Sequence, residues 1–184
     1  PWTCSFADDF DGKRLDTAKW QAVRTATSGY TSGSECFRAG KGNVRVSKGK
    51  LRLTARRLAQ PTTCVMPRGS DFATRYTSGS VTTHDIFSQT YGRFEVRAKF
   101  PASKVPELQS AIGLTPVNPT YGAWPRSGEI DIVEHYTHRP RRAIPYLHYM
   151  FGFAATPLTS QTNNHCMIGR RARFHTYVLI WGPG

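Results

Sequence analysis

Side chains at residues 93–100 alternate without a break. Phe94, Val96, Ala98 and Phe100 fall on one face, and Arg93, Glu95, Arg97 and Lys99 on the other. Successive side chains of an extended chain point to opposite faces, so this two-residue period marks a strand with one buried side. Leu51, Leu53 and Ala55 alternate in the same way with Arg52, Thr54 and Arg56. Residues 174–181 are apolar or aromatic on both faces, the pattern expected of a strand buried between layers. No window combines a 3.6-residue apolar period with capping residues, so no helix is expected. Clusters of Gly, Pro, Ser and Thr occupy 25–34, 60–70, 116–125 and 154–164. Short strands joined by such turns indicate an all-β sandwich or barrel. A chain of 184 residues can enclose one sizeable core, and a single domain over 1–184 is expected.

Within this frame one segment is chemically unusual. Three of the chain's twelve carboxylates lie in Glu129-Ile-Asp131-Ile-Val-Glu134, although the formal net charge is +13. The β-branched residues make it a strand, with Glu129 and Asp131 on one face and Ile130 and Ile132 on the other. Strict alternation would bury Glu134 among the isoleucines, where an unpaired carboxylate is strongly disfavoured. A β-bulge near Ile132–Val133 removes the conflict, because one extra residue shifts the register and returns Glu134 to the polar face. The two glutamates would then be roughly 13 Å apart along the backbone. Side chains leaning together would bring their carboxyl groups to about 5–6 Å, near the spacing of a retaining glycosidase pair. Taken alone, the short acidic motif also fits the solvent face of a strand.

The residues around the motif narrow the choice. Trp124-Pro125-Arg126-Ser127-Gly128 leads directly into the acids. The whole run W-P-x-S-G-E-I-D-I-V-E resembles the active-site strand of glycoside hydrolase family 16, in its laminarinase-like, endo-β-1,3-glucanase branch. Further blocks are similar to that family in the same order: Phe10-Asp11-Gly12 through Leu15-Asp16 to Trp20, Gly42-Asn43-Val44, residues 49–55, 76–79 and 91–101, His148-Tyr149, and 174–177 through Trp181. The resemblance implies a β-jelly roll of two antiparallel sheets, concanavalin-like, with a concave face. It also implies roles: Glu129 as nucleophile, Glu134 as general acid and then base, and Asp131 between them tuning their protonation. Trp124 matches an aromatic that lines the sugar cleft, and His148 a histidine on a neighbouring cleft strand. By spacing alone Trp124 could equally be a core residue and His148 a hydrogen-bonded structural histidine.

The resemblance implies no required cofactor. It leaves room for a structural calcium ion, to which no residues are assigned. His135-x-x-His138 offers two metal-ligand types, but a strand and its following turn need not converge them and no third ligand is evident, so no metal site is assigned. Cys4, Cys36, Cys64 and Cys166 are widely spaced, which suits disulfides in an exported protein, with three pairings open and buried thiols as the alternative. The protein is accordingly expected to be secreted or associated with the cell wall, and monomeric. No apolar run reaches the length of a membrane span.

Twenty-five Lys and Arg face twelve Asp and Glu, with clusters at Arg56-Arg57, Arg139-Pro-Arg141-Arg142 and Arg170-Arg171-Ala-Arg173. Such clusters usually form solvated faces, and they also favour anionic partners such as nucleic acid, anionic wall polymers or sulfated sugars. No basic-aromatic motif for specific nucleic-acid binding accompanies them. The positive field lowers carboxyl pKa values in general, but neighbouring carboxylates act at shorter range and should keep one glutamate of the pair protonated.

Two departures from the family stand out. Gln109 and Gly113 occupy positions where tryptophans are expected, and Gly33-Ser34-Glu35 lies where an asparagine is common. The chain also stops at Trp181-Gly-Pro-Gly184, so the last family strands are expected to be missing. The expected function is a retaining endo-glycosidase acting on β-glucan, chiefly at β-1,3 linkages. The alternatives are a hydrolase of an anionic or sulfated galactan or wall polymer, and a carbohydrate-binding homologue with impaired catalysis.

Overall fold

The computed structural model describes residues 2–103, 107–150, 159–162, 166–169 and 173–183. Arg170 and Arg171 of the third arginine cluster lie outside them. The chain forms two compact units, Pro1–Ser88 and Gln89–Gly184.

The first unit contains β1 (Gln21–Ala22), a single helical turn α1 (Thr25–Ser28), β2 (Glu35–Phe37), β3 (Val44–Val46), β4 (Leu51–Leu53), β5 (Arg56–Cys64), β6 (Phe72–Ser78) and β7 (Val81–Thr82). The turn α1 was not expected. It closes where Gly29 adopts the left-handed conformation, φ 72°, and returns its N–H to the Thr25 carbonyl. Strands β2, β6 and β5 form one sheet, β3 pairs with β4, and β1 pairs with β7. The β2–β6 pairing is parallel. The chain passes through β3, β4 and β5 between them, long enough for the crossover that a parallel pair requires. Cys36, Phe37, Val44, Val46 and Cys64 are buried here. Buried Asn43 is satisfied by donating to the Thr54 carbonyl and the Thr77 hydroxyl, at 2.8 and 3.0 Å. Of the three open cysteine pairings the structure forms one bond, Cys36–Cys64, and leaves Cys4 and Cys166 as exposed thiols.

The second unit contains β8 (Gly92–Ala98), β9 (Gln109–Leu114), β10 (Glu129–Tyr136), β11 (Ile144–Tyr149), β12 (Thr159–Thr162) and β13 (His175–Trp181). Four of these form an antiparallel sheet in the order β12-β11-β10-β9, and β13 pairs antiparallel with β8. Phe100, Val133, Ala143, Ile168 and Tyr177 make the core, with Ala98, Ile112 and Ile132 packed against it. Burying a side chain of Val or Ile size is worth about 1.5–3 kcal/mol, so this cluster holds the β8–β13 ribbon to the sheet. The expectation that residues 174–181 are buried on both faces is corrected. Tyr177 is buried, but Val178 and Ile180 are 44% and 66% exposed. The reason lies in the layering: Val178 and Ile180 alternate with Tyr177 and so point to the opposite face, where a hollow of about 620 Å³ opens, lined by Ile130, Ile132, Leu147, Val178 and Ile180.

Candidate active site

β10 carries the acids at the centre of its sheet, flanked by β9 and β11. Asp131 lies opposite Gly113 on β9 and Tyr146 on β11, whereas Glu134 lies opposite Ala111 and Ile144. Three steps on β10 therefore match two on each neighbour, which is a β-bulge at the place the sequence requires one. The bulge turns both Ile132 and Val133 toward the core. Beyond it, His135 is buried and stacks on Phe100 with ring centroids 5.0 Å apart, while Glu134 and Tyr136 return to the face of Glu129 and Asp131. His138 packs instead on the Tyr136 ring at 5.5 Å, so His135 and His138 diverge.

Each carboxylate has its own partner. The Trp124 indole N–H donates to Glu129 Oε2 at 2.6 Å. His148, opposite Glu129 on β11, places Nε2 3.3 Å from Asp131 Oδ2. Its ring stacks on Tyr146 at 5.4 Å and lies 5.6 Å from Trp124. Glu134 accepts from two side chains: Gln109 Nε2 at 2.5 Å to Oε1, and the Tyr136 hydroxyl at 2.8 Å to Oε2. Trp124 is 58% exposed, which places it at the surface beside Glu129 and not in the core. Asp131 and Glu134 are nearly enclosed, at 6% and 9%.

This setting changes the chemistry of the middle acid. Burial, then the charges of Glu129 and Glu134, push the Asp131 carboxyl from 3.8 up to about 6, with His148 pulling partly the other way. Burial contributes most to this rise, and the charges of the two flanking glutamates add to it. Burial and the hydrogen bond to Glu134 hold the Tyr136 phenol above its ordinary range, so it remains a donor. Glu129, Asp131 and His148 each bring one ligand atom within 4.8 Å of the others, a spacing that would accept a divalent cation. Glu129 already accepts from Trp124, and Asp131 already pairs with His148.

Gly113 explains part of the altered tryptophan block. A Cβ at this position would lie 2.6 Å from Asp131 Oδ1 and 3.1 Å from the Ile130 carbonyl, so the glycine makes room for the carboxylate. Sequence reasoning brought together Glu129, Asp131, Glu134, Trp124 and His148, and the structure gathers all five on one sheet face or its edge. It missed Gln109 and Tyr136 as partners of Glu134. For Tyr136 the signal was present, because a residue two beyond Glu134 shares its face.

Residues 33–184 match the family model described as glycosyl hydrolases family 16. The chain belongs to this family. It is 31% identical to a glucan endo-1,3-beta-glucosidase of Cryptopygus antarcticus over 99% of this chain and 64% of that protein. A beta-glucanase of Rhodothermus marinus is 30% identical over 99% of this chain and 60% of that protein. The chain thus spans less than two thirds of the length of these relatives. The X-ray structure of the laminarinase from Rhodothermus marinus superposes with a TM-score of 0.78 and 30% identity, covering 100% of this chain and 69% of that one. The family 16 fold is an all-β jelly roll, and the four-stranded sheet carrying the acids is part of it.

Proposed function

We propose that this protein is a retaining endo-glycosidase that hydrolyses β-glucan, chiefly at β-1,3 linkages, and that it acts as an exported monomer. The observation that carries the reading is the bulge in β10, which sets Glu129, Asp131 and Glu134 on one face with a separate hydrogen-bond partner for each. Family membership supports the glycosidase chemistry, and the relatives named for β-1,3-glucan support the substrate. The Cys36–Cys64 bond supports an oxidising compartment. Among the described residues no helix is long and apolar enough to cross a membrane.

In this mechanism Glu129 attacks the anomeric carbon while Glu134 gives its proton to the departing glycosidic oxygen, leaving a glycosyl-enzyme ester. Water then attacks the same carbon, Glu134 takes its proton, and Glu129 is released. The Trp124 N–H donates to the attacking carboxylate and fixes its orientation. Asp131 sits between the two as a group that can exchange protons near pH 6. Trp124 is exposed enough to offer its ring to a pyranose face. The net charge of +13 favours a second reading, in which the same chemistry cuts an anionic or sulfated galactan.

Reducing-sugar release from laminarin, lichenan, agarose and carrageenan tests both. Release from laminarin that disappears in Glu129→Ala is expected. Preference for carrageenan would favour the second reading, and activity that survives Glu129→Ala would sink the assigned mechanism. Binding of laminarin with no turnover by the native protein would point to a carbohydrate-binding homologue.

A further inference from the structure

Glu134 is held from two strands at once. Gln109 comes from β9, at the register position opposite Tyr136 on β10. Its amide nitrogen has two hydrogens, and they are shared between Glu134 Oε1 at 2.5 Å and the Tyr136 hydroxyl oxygen at 3.3 Å. The Tyr136 hydroxyl in turn donates to Glu134 Oε2 at 2.8 Å. Amide, phenol and carboxylate therefore close a three-membered ring of hydrogen bonds. A glutamate side chain has three rotatable bonds, and holding it in one rotamer ordinarily costs entropy. A ring anchored on two backbones fixes both carboxyl oxygens before a substrate arrives. Each oxygen keeps a second lone pair, so the ring leaves a place for the transferable proton.

We propose that Gln109 and Tyr136 are positioning residues that hold the Glu134 carboxyl for proton transfer to the leaving glycosidic oxygen, a role that rests on the assignment of Glu134 as acid and base. The ring replaces conformational search by a prepaid orientation, and small losses of orientation are expensive at a proton-transfer site. Gln109 and Tyr136 touch neither the anomeric carbon nor the leaving group in this scheme, so their removal acts only through Glu134.

The test compares two substrates with native protein, Gln109→Leu and Tyr136→Phe. Laminarin has a poor leaving group that needs the proton, whereas a 2,4-dinitrophenyl β-oligoglucoside releases a phenolate that does not. For each variant kcat/KM on laminarin should fall about 10–100-fold, the effect of losing a hydrogen bond to a charged group. On the aryl glycoside the fall should stay below about 3-fold, since kcat/KM reports bond cleavage without assistance from the acid. The double variant should lose less than the product of the two single losses, because the ring is one unit. Equal falls on both substrates would show a merely structural effect and overturn the proposal, as would no fall on laminarin. A crystal structure of Gln109→Leu gives a reading independent of turnover. The Glu134 carboxyl should move or split between conformers by about 1 Å or more, and an unmoved carboxyl would overturn the proposal. A native protein without turnover on any substrate would sink the hydrolase reading, while the crystallographic comparison would still decide the positioning.

Discussion

Replacing Asp131 by asparagine should stabilise the protein at neutral pH while lowering its activity. The carboxyl is held up from 3.8 to about 6, by burial first and then by the charges of Glu129 and Glu134. Between those two pH values the native state keeps a proton that the unfolded chain has already released. Stability therefore falls as pH rises through the window, and the whole penalty is present above about pH 6. At about 1.4 kcal/mol for each pH unit, the charged carboxylate costs the native state up to about 3 kcal/mol at pH 7 and almost nothing at pH 4. Asparagine has the same shape without the charge. The rise to about 6 is already net of the opposing contact with His148, 3.3 Å away, so nothing further is subtracted for losing it. A net stabilisation of up to about 3 kcal/mol is expected at pH 7, vanishing toward pH 4. Urea unfolding of both proteins from pH 4 to 7, with laminarin hydrolysis in parallel, measures it. An asparagine variant no more stable than the native protein at pH 7, or a gain that persists unchanged at pH 4, would refute the reasoning. A stabilised but slower variant would show that the site holds like charges together at the expense of stability.

Three further outcomes are expected. Gly113→Ala should destabilise by about 1–3 kcal/mol in urea unfolding, because its Cβ would meet Asp131 Oδ1 at 2.6 Å, and the cost should shrink in an Asp131→Ala background. Reducing the Cys36–Cys64 bond, which closes a sequence separation of 28, should lower stability by about 3–4 kcal/mol, seen as a lower thermal midpoint in dithiothreitol. Cys4→Ser should leave that midpoint unchanged, since Cys4 is an exposed free thiol.

Much of the site could be read before any coordinates, because its logic is local. Alternation along a strand is a property of the backbone, so the isoleucines and carboxylates of 129–134 could be sorted onto faces from their order alone. The misfit of Glu134 then demanded a bulge, and Ile132 and Val133 do both face the core. Gln109 and Gly113 were visible only as departures from the family pattern. Their meaning lies in pairing between β9 and β10, which joins residues more than fifteen positions apart in the chain, and no periodicity within one strand encodes a partner's register.

Burial was harder to read than strand formation for the same reason. The apolar residues of β13 describe a strand equally well whether one or both of its faces are covered, and only the packing of the layers leaves Val178 and Ile180 exposed beside a hollow. Likewise, four cysteines permit three pairings, and the choice of Cys36 with Cys64 depends on where β2 and β5 lie in space. By itself the order of residues determined an all-β chain, three acids on one strand face and the bulge that puts them there. Tertiary structure alone decided what each acid touches: Trp124 for Glu129, His148 for Asp131, and Gln109 with Tyr136 for Glu134. The division follows from range. Backbone geometry is set between neighbours in sequence, whereas protonation and orientation are set by groups that meet only once the sheet has formed.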